Sequence, residues 1–77
     1  MGLRMSEEDV ARVMLAVLEV FVFRTGGRMT VEQLERATRL NLTAEQREGA
    51  LRFGERAGFW ELEDDAISGR RIVRRIT

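Results

Sequence analysis

The chain has 77 residues, 44% hydrophobic and 34% charged, which suits one domain with a single modest core and argues against disorder. It holds no cysteine and no histidine, which excludes disulfides, thiolate metal sites, a cysteine nucleophile and the commonest general base and metal ligand. Thirteen arginines, with no lysine, balance thirteen acids to a net charge of zero, so the molecule as a whole offers no long-range attraction to a polyanion.

One domain is expected over residues 1–77, with a loose tail at 1–5. The opening residues lack the charged, apolar and small-residue segments of a secretory signal, and no apolar run is long enough to span a bilayer. A cytoplasmic protein without a membrane partner is therefore expected.

The stretch from Ser6 to Phe23 predicts one long helix. Ser6 suits the N-cap, with Asp9 three residues on, and Glu7, Glu8 and Asp9 place negative charge where the helix dipole favours it. From Val10 to Val22 every residue except Arg12 and Glu19 is apolar. A helix apolar over most of its circumference is buried on most sides, more than one small domain easily covers. A second chain is expected against it, through Ala11, Leu15, Leu18 and Val22, giving a homodimer. Thr25-Gly26-Gly27 should stop the helix near Arg24, and Arg28-Met29-Thr30 has room for a short strand.

Thr30 opens a second helix, to about Thr38, with Gln33 completing a capping box and Val31, Leu34 and Ala37 at helical spacing. Leu40-Asn41-Leu42 forms a turn whose leucines anchor to the core. Thr43 opens a third helix, again with a capping box through Gln46, and Gly58 ends it. Gly49 and Gly54 inside that helix each cost roughly 1 kcal/mol relative to alanine, so close approach of a neighbouring element is expected there. Beyond Gly58 the apolar period becomes alternating. Phe59 to Glu63 predicts a strand, Asp64 to Gly69 a polar turn, and Arg70 to Ile76 a returning strand with Ile72 and Ile76 on its inner face.

Charge is unevenly spread. Residues 1–65 carry nine arginines against thirteen acids, whereas Arg70, Arg71, Arg74 and Arg75 follow with no acid among them. Contact with nucleic acid would lean on that last segment. Asp64 and Asp65, with Glu61 and Glu63, lack the spacing of a calcium loop and read as a solvated turn. Catalysis has almost no inventory: no nucleophile stands at a useful spacing from a base, and Gly26-Gly27 lacks the pattern of a phosphate loop. Neither an enzyme, nor a cofactor, nor a metal is expected.

The order of helix, short strand, capped helix, turn, capped helix and basic hairpin resembles a winged helix-turn-helix domain. The residues that carry it are Thr30-Val31-Glu32-Gln33-Leu34, Leu42-Thr43, Ala57-Gly58-Phe59-Trp60-Glu61 and Ile76-Thr77. The resemblance covers about Val10 to Thr77 and implies a mostly helical α+β fold, three helices with a C-terminal β-hairpin wing. It further implies that Thr43 to Ala57 is a recognition helix and Asp64 to Arg71 the wing. Thr43, Gln46, Arg47 and Arg52 would then face the major groove of double-stranded DNA, and Arg70, Arg71 and Arg74 would grip its backbone. A small dimeric transcriptional regulator is one expectation. A protein-interaction module on the same fold, with a protein partner and no nucleic acid, is the other, because Glu45, Glu48 and Glu55 leave the third helix nearly neutral.

Overall fold

The computed structural model describes residues 5–76. Helix α1 spans Glu7–Val20, α2 Val22–Thr25, α3 Val31–Thr38 and α4 Ala44–Arg56; strands are β1 Arg28–Thr30, β2 Trp60–Asp64 and β3 Arg71–Arg75. The result is a mostly helical α+β domain whose three strands form one antiparallel sheet in the order β1-β3-β2. Element order and sheet order are compatible with a winged helix. None of the described helices is long and apolar enough to cross a membrane.

The helix starts follow local chemistry. Ser6 Oγ accepts from the Asp9 amide at 3.1 Å. Thr30 and Thr43 each close a full capping box, with the side chains of Gln33 and Gln46 returning to the cap amides. These satisfy donors that the first helical turn leaves without partners. Gly58, at φ +79°, follows the last turn of α4 in the left-handed conformation that glycine reaches without strain.

The first helix is not continuous to Arg24. It breaks at Phe21, whose φ of −96° and ψ of 11° leave the helical range, and a single further turn, α2, follows before Gly26 closes it at φ +67°. The break falls in Val20-Phe21-Val22, a β-branched, aromatic, β-branched run with low helix propensity. The Phe21 carbonyl accepts from the amides of Arg24 and Thr25 and from the Thr25 hydroxyl, which holds the extra turn together.

The core joins Val10, Ala11, Met14 and Leu18 of α1 to Leu34 of α3, Ala50 and Leu51 of α4, and Trp60, Met29 and Val73 of the sheet. Leu40 and Leu42 pack against it from the turn between α3 and α4. Two expectations are corrected here. The inner face of β3 is set by Val73, fully buried, and not by Ile72 and Ile76; the register aligns Val73 with both Met29 and Leu62. Ile72 is half-buried on the other face, and Ile76, past the end of the strand, is 39% exposed. Ala11 and Leu18, expected against a second chain, are sealed at 0% exposure by the chain's own α3, α4 and sheet, so no partner reaches them. Leu15 and Val22 are half-buried.

Candidate functional site

Helix α4 starts beside the C-terminal end of α3, and the β2–β3 turn comes up against both. Between them lies an open groove of about 340 Å³ lined by Glu32, Glu35, Arg47, Glu48, Arg70 and Arg71, among others. Of the residues expected to face DNA, the structure thus gathers Arg47, Arg70 and Arg71 in one place. It also sets three glutamates among them.

The arginines are largely committed to those acids. Arg47 Nη1 donates to Glu35 Oε1 at 2.9 Å, with both side chains less than a third exposed. Arg71 Nη1 donates to both carboxylate oxygens of Glu48 at 2.8 Å, bridging the sheet to α4. Arg70 is exposed at the end of the turn and has no ion pair among the described residues. With three guanidinium groups and three carboxylates the groove is electrically balanced. A phosphate entering it would approach Glu35 and Glu48 as closely as their partners, and the repulsion cancels much of the attraction.

Thr43 and Gln46 are engaged in starting α4. The Thr43 hydroxyl accepts from the Gln46 amide at 3.1 Å, and Gln46 Oε1 accepts from the Thr43 amide at 2.9 Å. Pairing with adenine uses both the oxygen and the nitrogen of a glutamine side chain, so base reading by Gln46 would compete with the return half of the capping box. Arg52 is exposed, but its neighbours on the outward face of α4 are Glu45, Glu48, Glu55 and Arg56. With Glu48 held by Arg71, that face sets Glu45 and Glu55 against Arg52 and Arg56 and is close to neutral.

Arg74 stands apart from Arg71. They stand three positions apart, an odd step, so they leave opposite faces of β3. Arg74 lies on the outer face, where it donates to Glu63 and Glu61 of β2, and Arg28 of β1 completes the set at 3.5 Å from Glu63. The two carboxylates, Glu63 first, hold the Arg74 guanidinium above its usual range. This cluster ties three strands together across the sheet.

The β2–β3 turn is built around Asp65. Its amide donates to the Arg70 carbonyl at 2.9 Å, its carbonyl accepts from Gly69, and its carboxylate accepts from the Ser68 hydroxyl and the Ile67 amide. Those two donors, the hydroxyl first, hold the Asp65 carboxyl below the usual carboxylate range. The turn presents Ile67, 97% exposed, at its tip.

A second surface was not singled out by the sequence. Val20 is 72% exposed and Phe23 99% exposed, on the side of α1 and α2 turned away from the core, with exposed Ala16 and half-buried Val13 alongside. The spacing 13, 16, 20, 23 was visible in the chain, but the apolar arc around it was too broad to separate the buried side from the open one.

The chain matches no protein-family model, no curated protein and no solved structure.

Proposed function

We propose that the chain is a small winged helix-turn-helix module that docks on protein and does not read duplex DNA. The observation that carries this reading is the charge balance of the groove, where Arg47 and Arg71 are held by Glu35 and Glu48 beside an outward face of α4 that is itself close to neutral. A duplex-binding surface concentrates unpaired arginine and lysine on one side, because the phosphate term dominates affinity. Here the cations are distributed among carboxylates and divided between two faces of the sheet. Exposed Val20 and Phe23 favour a protein partner, since large apolar groups contribute most when desolvated against another protein.

Fluorescence anisotropy with a labelled duplex tests the reading. The expected result is no binding at about 50 mM salt with micromolar protein. Binding that weakens steeply towards about 200 mM salt and is lost in Arg70→Ala/Arg71→Ala would overturn it in favour of a DNA-binding regulator.

A further inference from the structure

We draw no further inference here: the strongest candidate, the apolar surface patch that Val13, Ala16, Val20 and Phe23 form on the side of α1 and α2 turned away from the core, is unpartnered, and nothing in the structure shows what covers it.

Discussion

The indole of Trp60 occupies the space that a side chain on Gly54 would need, and its Nε1 donates to the Leu51 carbonyl at 3.0 Å. The first strand after α4 is thus locked onto the helix that precedes it, through one missing Cβ and one hydrogen bond. Phe53 and Phe59 meet edge-on beside this joint, and Phe59 meets Trp60 the same way. Gly54→Ala gains roughly 1 kcal/mol of helix propensity but forces the new methyl group into the Trp60 ring. Overpacking of a filled core costs about 1–3 kcal/mol, so the variant is expected to unfold at lower urea. A midpoint at or above that of the parent would mean that Trp60 is not held against the helix.

Gly49 makes the contrasting case on the same helix. A Cβ there would meet the carboxylate of Glu7 at 2.7 Å, the far end of a flexible and exposed side chain. The side chain can swing aside. Gly49→Ala is therefore expected to keep most of the propensity gain and stabilise the fold by up to ~1 kcal/mol, measured by the same urea titration.

The two glycines show what the chain discloses about itself. That something approaches α4 closely was legible from glycine inside a helical pattern, and both capping boxes were legible because their partners stand three residues apart. The phase of β3 was not. Ile72-Val73-Arg74-Arg75-Ile76 offers apolar groups at both parities, and pairing with β1, more than forty residues away, settles which face turns inward. The pairs Arg47–Glu35 and Arg71–Glu48 join residues 12 and 23 apart in the chain, so the balance of the groove could not be read from local charge.

The phase of β3 has its own measurable consequence. Val73 is fully buried between Met29 and Leu62, whereas Ile72 is half-buried on the opposite face. Val73→Ala removes two buried carbon groups and leaves a cavity, for an expected loss of roughly 2 kcal/mol. Ile72→Ala deletes the larger side chain yet should cost less than Val73→Ala, because part of it is already in water and no closed cavity is left. Chemical denaturation of the two variants decides the matter, and the reverse order would restore Ile72 to the inner face.

Acid should loosen the β2–β3 turn. The Ser68 hydroxyl and the Ile67 amide hold the Asp65 carboxyl below 3.8, so the folded group carries a depressed pKa. Its stabilisation is fully present above that value and is lost as pH falls through the folded pKa. An NMR titration should show the amides of Ile67 and Arg70 shifting together with a midpoint below 3.8, and Asp65→Asn should abolish that transition. A midpoint at or above the ordinary carboxylate value would show that these hydrogen bonds do not form in solution.

Neutralising the acids of the groove tests whether they oppose phosphate there. Glu35→Gln and Glu48→Gln each preserve shape and remove one negative charge, taking the groove from three acids against three arginines to one against three. The Arg71–Glu48 bridge is a little over a third exposed on both sides, so losing it should cost only about 0.2–1 kcal/mol and leave the domain folded. The released Arg47 and Arg71 would then stand with Arg70 on one concave surface. The double variant is expected to bind a duplex more tightly than the parent, with an affinity that falls with salt at a slope of roughly one unit per phosphate neutralised. Should it bind no better than the parent, the geometry of the groove and not its charge would be the barrier, and the α4 face would have no route to nucleic acid by charge reversal alone.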